Sequence, residues 1–109
     1  MPTTPNILGH SIPAATIATD VYVVPALTHS IISSIVVCNQ TATDATYRVA
    51  VRKAAVALTA MQYIAYDATV MANDSVPLTY GATMGPGDII TVLSSSGTVS
   101  FNVFGVEQV

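Results

Sequence analysis

The run Thr28 to Gln40, THSIISSIVVCNQ, sets six apolar residues (Ile31, Ile32, Ile35, Val36, Val37 and Cys38) into eight positions and stops at the turn-prone Asn39-Gln40-Thr41. It is too short and too β-branched for a comfortable helix, and its apolar positions follow no helical stripe. On a pleat, where side chains alternate, residues 31, 35 and 37 fall on one face and 32, 36 and 38 on the other. A strand apolar on both faces must be covered on both, by its own domain on one side and by something else on the other.

Composition sharpens that conclusion. The chain of 109 residues is 51% hydrophobic and only 8% charged, where a free-standing domain carries about a quarter charged residues. Arg48, Arg52, Lys53, five aspartates and Glu107 are all it has to keep its surface wet. Disorder needs more charge and less hydrophobicity. A membrane-spanning helix needs about 20 apolar residues in a row, and Ser33, Ser34 and Asn39 break the best run. A transmembrane barrel needs at least about eight strands of about ten residues, more than this length provides. With a net charge of −3 and all three basic residues in one segment, no footprint for nucleic acid exists. The expectation is an obligate assembly subunit, with partners but neither nucleic acid nor membrane among them.

Residues 1–19 read as an extended N-terminal arm. Pro2, Pro5 and Pro13 forbid a helix and the middle of a sheet, while Ile7, Leu8, Ile12 and Ile17 are spaced among them for contact with another subunit. The opening MPTTPNILGH lacks the charged and apolar regions of a secretory signal. Residues 20–109 read as one all-β domain. Strands are predicted over 20–24, 28–39, 45–53, 62–71, 75–80, 88–94 and 98–106; the alanine-rich 54–60 could form a helical turn but reads better as a loop or short edge strand, and the glycine-rich GATMGPG of 81–87 as a loop. About seven strands at roughly eight-to-twelve-residue spacing, with turn signals between them, predict an antiparallel β-sandwich, Ig-like or jelly-roll-like.

Catalysis finds no support in the residue pattern. Only His10 and His29 could supply an imidazole, and neither has an acid nearby in sequence. Asp20, Asp44, Asp74 and Asp88 sit at strand starts or turns, where aspartate caps backbone N–H groups. Asp67 lies inside a strand and is expected to pair with Arg48 or Arg52 across strands. No histidine or cysteine pair has ligand spacing, and GATMGPGD lacks the lysine of a phosphate-binding loop. No enzyme, cofactor or metal is therefore expected. Cys38 is read as a small buried apolar residue, and the sequons at Asn39 and Asn73 as turn chemistry. Tyr22, Tyr47, Tyr63, Tyr66 and Tyr80 are taken as core and interface anchors.

Three segments, SSIVVCNQTATDATYRVAVR, QYIAYDATVMANDSVPLTYGATMGPGDIITV and VSFNVFG, within residues 17–105, resemble small virion structural proteins of tailed bacteriophages, notably phages of cyanobacteria. The resemblance implies a compact β-sandwich on the virion exterior: a capsid decoration, or cement, protein that forms a homotrimer and binds the major capsid protein. Ile7, Leu8, Ile12 and Ile17 are the expected contact residues, with Arg48 and Arg52 as a second patch. The same resemblance admits a tail, baseplate or fibre-attachment module that makes contact through GATMGPG and residues 106–109. It also admits a carbohydrate-binding display domain that uses exposed tyrosines.

Overall fold

The structure, a computed structural model, describes residues 3–54, 56–79 and 81–108. Among the described residues nine strands form two sheets: β1 (Thr3–Ser11), β2 (Thr19–Val23), β3 (His29–Asn39), β4 (Ala45–Arg52), β5 (Tyr63–Val70), β6 (Ser75–Leu78), β7 (Thr83–Met84), β8 (Ile89–Ser94) and β9 (Val99–Gln108). Sheet A has the order β1-β9-β3-β6, with β7 also on β3; sheet B has the order β2-β8-β4-β5. The pairings are antiparallel. With the two-residue β7 set aside, the first strand pairs with the last, the second with the second-last, and so inward to the β4–β5 hairpin. One long hairpin folded over on itself in this way is a jelly roll, which decides between the two sandwich types the sequence allowed.

The strand count is nine rather than about seven because two strands escape a periodicity reading. β7 is two residues long between Gly81 and Gly87, both at positive φ, and is held by Met84, which is buried against β3. The other is β1. Residues 3–11, expected as an arm on another subunit, pair along β9 from Thr3 opposite Gln108 to Ser11 opposite Phe101, so they belong to the sandwich itself. Prolines bar the middle of a sheet but not its edge, and Pro5 occupies an edge strand. Residues 12–18 carry the chain from sheet A to sheet B.

β3 carries the expected two-sided apolar pattern, with a changed phase. Its ladder with β9 shifts between Ile32 and Ser34, and this bulge inserts one residue and flips the alternation. Ile32, Ile35 and Val37 therefore all face the core, and Ile31, Val36 and Cys38 face outward. The inward set packs with Val99, Phe101 and Val103 of β9 against Tyr47, Val49, Ile90 and Val92 of sheet B. Tyr47 meets Phe101 edge to face, ring centroids 6.3 Å apart. A polar stitch joins the sheets at one end. The Tyr22 hydroxyl of sheet B donates to Glu107 Oε2 at 2.6 Å and lies 2.7 Å from the Ser30 hydroxyl, both on sheet A. At the other end the buried Asn39 side chain donates to the carbonyls of Thr43, Val70 and Met71 and accepts from Thr41 N–H, tying β3 to the turn after it and to β5.

Backbone meets backbone closely at two glycines. A Cβ on Gly9 would strike the Val21 carbonyl oxygen. One on Gly105 would strike the Ile31 carbonyl oxygen and sit 3.1 Å from Leu8 Cδ1. Gly105→Ala is expected to lower stability by about 1–3 kcal/mol, as overpacking does, read as a lower denaturant midpoint; an unchanged midpoint would contradict this packing. Burial, then the hydrogen bond to Glu107, raises Tyr22 from its ordinary 10.0 to about 12. Its contribution is therefore complete below pH 10 and lost as pH rises from there through about 12. Stability curves against pH should fall in that window for the native chain and flatten in Tyr22→Phe.

Candidate interaction surface

The charged residues are sorted by face. Arg48 and Arg52 alternate with inward-facing Tyr47, Val49 and Val51 along β4, so they stand on the outer face of sheet B. There Arg48 grips Asp67 with Nε–Oδ1 at 2.6 Å and Nη2–Oδ2 at 3.1 Å. Its guanidinium also lies 4.1 Å from the Tyr66 ring centroid and 5.8 Å from that of Tyr63. Asp67 reaches it from a bulge in β5, at φ 51, a left-handed conformation that aspartate tolerates better than most residues. Arg52 donates to Asp20 Oδ1, which also accepts from Thr91. The other charges lie off both sheet faces. Asp44, Asp74 and Asp88 accept backbone N–H groups in turns, as expected of them. Asp20, given the same role from sequence, serves Arg52 instead. Lys53 stands 3.7 Å from Asp88, and Glu107 turns inward to Tyr22.

The outer face of sheet A therefore carries none of the nine charged residues. Register places Pro5, Val106 and Ile31 side by side across β1, β9 and β3. The next row sets Ile7 beside Phe104, and beyond it Val36 lies beside Pro77 of β6. Ile31 is 50% exposed and Ile7 55% exposed, while Phe104, Val106, Val36 and Cys38 are half-buried. Serines 33, 34 and 100 and Asn102 fill the spaces between them. His10 opposite Asn102 and His29 opposite Gln108 mark opposite ends of the face. Near the first, His10, Ser11, Ile12, Gln40, Ser100 and Asn102 line an open cleft of about 380 Å³ with no charged group.

The sheet edges offer much less. β1 has Pro5 and a bulge between Ile7 and Gly9; β2 has a bulge after Asp20; β5 has the Asp67 bulge; β6 is four residues long with Pro77 in it. Short, bulged or proline-bearing edges are how sheets avoid pairing with a neighbour. What remains open to a partner is a face.

Of the contact residues expected from sequence, Ile7 belongs to this face and Ile12 to its end. Ile17 is exposed on the crossover between the sheets. Leu8 packs against the core from the β1 bulge, so it is not presented to a partner. Arg48 and Arg52 are spent on aspartates of their own chain, on the opposite side of the molecule. Of the contacts expected of a tail module, Met84 of GATMGPG is buried, Gly81, Thr83 and Pro86 are exposed, Val106 to Gln108 belong to β9 with Val106 on the neutral face, and Val109 lies outside the described residues. Tyr80 does as well. Among the described residues no three His, Cys, Asp or Glu side chains gather as a metal-binding group. Sequence reasoning missed the continuity of the neutral face, which depends on the bulge. The pair Ser33-Ser34 in an otherwise apolar strand was the available signal.

Comparison with known proteins gave no match: no family model, no curated protein and no solved structure.

Hydrogen bonding to Arg48 lowers Asp67 below its ordinary 3.8. The pair's contribution is thus present above the usual carboxylate range and disappears as pH falls through the depressed value. A carboxyl-carbon NMR titration of Asp67 should show its midpoint below 3.8 and closer to the ordinary value in high salt; a midpoint at or above 3.8 in low salt would contradict the pairing.

Proposed function

We propose that this chain is a structural assembly subunit of a virion, a capsid decoration protein that stabilises the head shell by bridging capsid subunits. The observation that carries the reading is the neutral apolar face of sheet A. A face depleted of charge, with aromatic and aliphatic side chains half-exposed at its centre, has the composition of an interface core. The resemblance of residues 17–105 to small phage virion proteins supplies the setting. Jelly rolls recur in viral shells and in lectins, a likeness of fold that does not by itself carry function.

Mechanically, such a subunit works by burial. Two hydrogen-bonded sheets packed on one core resist shear, and a neutral face buried against a neighbour in the assembly adds apolar contact without drawing in counter-charges. One observation favours a second reading, carbohydrate binding on the virion surface: Tyr66 is 60% exposed and stands edge to face with Tyr63 at 5.0 Å.

Immunogold imaging of virions that carry this sequence tests the choice. Label over the head exterior is expected. Label confined to the tail would select the tail or baseplate module, and particles without label would overturn the virion reading. A glycan array that binds the native chain but not Tyr66→Ala would establish the second reading.

A further inference from the structure

We infer that the outer face of sheet A is covered by a second copy of this chain, packed face to face about a twofold axis. The inference rests on the reading that neighbours complete the exterior of this subunit; it names the first of those neighbours and puts a pair in place of the homotrimer that the resemblance implies.

Three observations select a second copy over a partner of different chemistry. The face has no lysine, arginine, aspartate or glutamate, so a charged partner surface would be desolvated with nothing to pair with. A neutral, mixed apolar and hydroxyl-bearing surface is matched by a surface of the same kind, and this chain supplies one to itself, as an isologous contact requires. The size also fits. β1, β9 and β3 lie abreast, with β6 and β7 filling part of a fourth column; at about 4.8 Å between strands and about 3.4 Å per residue the face has a footprint of roughly 590 Å² per copy, or roughly 1,200 Å² for the pair, at the lower end of the ~1,200–2,000 Å² of stable complexes.

Electrostatics permits the arrangement as well. Each copy has a net charge of −3, yet its charged sheet face is turned away. Four stacked sheets about 10 Å apart hold the two sheet B surfaces roughly 30 Å from each other, well beyond the ~10 Å screening length of 0.1 M salt. The blunted edges point the same way, because they disfavour growth by strand addition and leave facial packing, which stops at two.

Native mass spectrometry and sedimentation equilibrium of the purified chain test this without any virion component. The native chain is expected at twice its 11.3 kDa mass. Ile31→Lys and Val36→Lys, each on the outer face and outside the core, are expected at the single-chain mass with an unchanged circular dichroism spectrum. Thr69→Lys, on the outer face of sheet B, should remain paired. A second measurement needs no substitution: alkylation of Cys38, half-buried on the same face, should slow as protein concentration rises. A native chain that stays single at its highest soluble concentration, a mass of three chains, a pair that survives both lysines, or a Cys38 rate independent of concentration would each overturn the inference. These outcomes are separate from the particle-labelling result, so either idea can fail alone.

Discussion

The pairing of β3 with β9 is the interaction on which the remaining structure depends. It joins His29–Asn39 to Val99–Gln108 along nearly the whole length of both strands, and every other strand of sheet A hangs from one of the two. It also closes a loop of some seventy residues, so it has to outweigh a large ordering entropy before any local gain. The side chains explain how it does so. On the core side Ile35 sits opposite Val103 and Val37 opposite Phe101, all fully or almost fully buried. On the outer side Val36 and Ile31 flank Asn102 and Val106. The ladder is apolar on both faces, and only the inner face is satisfied within the chain.

Much of this was legible in the sequence, because the strands with clear alternation lie where the alternation put them. β2, β4, β5, β8 and β9 start and stop within two residues of their expected bounds, and the Arg48–Asp67 pair was anticipated from strand spacing. The failures have distinct physical causes. β1 was read as an arm because proline excludes a central strand, and periodicity says nothing about whether an edge is available. β7 is too short for any period to register, and a single side chain, Met84, holds it. The phase of β3 was misassigned because one bulge at Ser33-Ser34 reverses inside and outside for everything before it. That reversal matters most for the candidate surface: it moves Ile32 into the core and leaves Ile31 outside with Val36 and Cys38. A period-two reading cannot assemble that face, because its members are not in phase along the chain.

Scarcity of charge looks different once the fold is known. Nine charged residues spread evenly would leave every surface poorly solvated. Here they are concentrated. Two arginine–aspartate pairs occupy the outer face of sheet B, the aspartates of the turns hold backbone N–H groups, and Glu107 is consumed in the stitch to Tyr22 and Ser30. Exposed ion pairs of this kind add little stability individually. Their effect is on solvation and orientation: one face of the sandwich is kept wet, and the opposite face is left free of charge.

A greasy all-β chain faces a choice of how to be covered. Open edges lead to strand addition without limit, since each added copy presents a new edge. A covered face ends the process, because the surface that made the contact is used up in making it. Pro5, Pro77, the bulges of β1, β2 and β5 and the brevity of β6 close the first route at all four edges. No comparable obstruction stands on the outer face of sheet A, where serines and Asn102 separate the aliphatic side chains without introducing charge. The residues that blunt the edges and keep this face uncharged thus leave facial packing, rather than strand addition, as the open route to a partner.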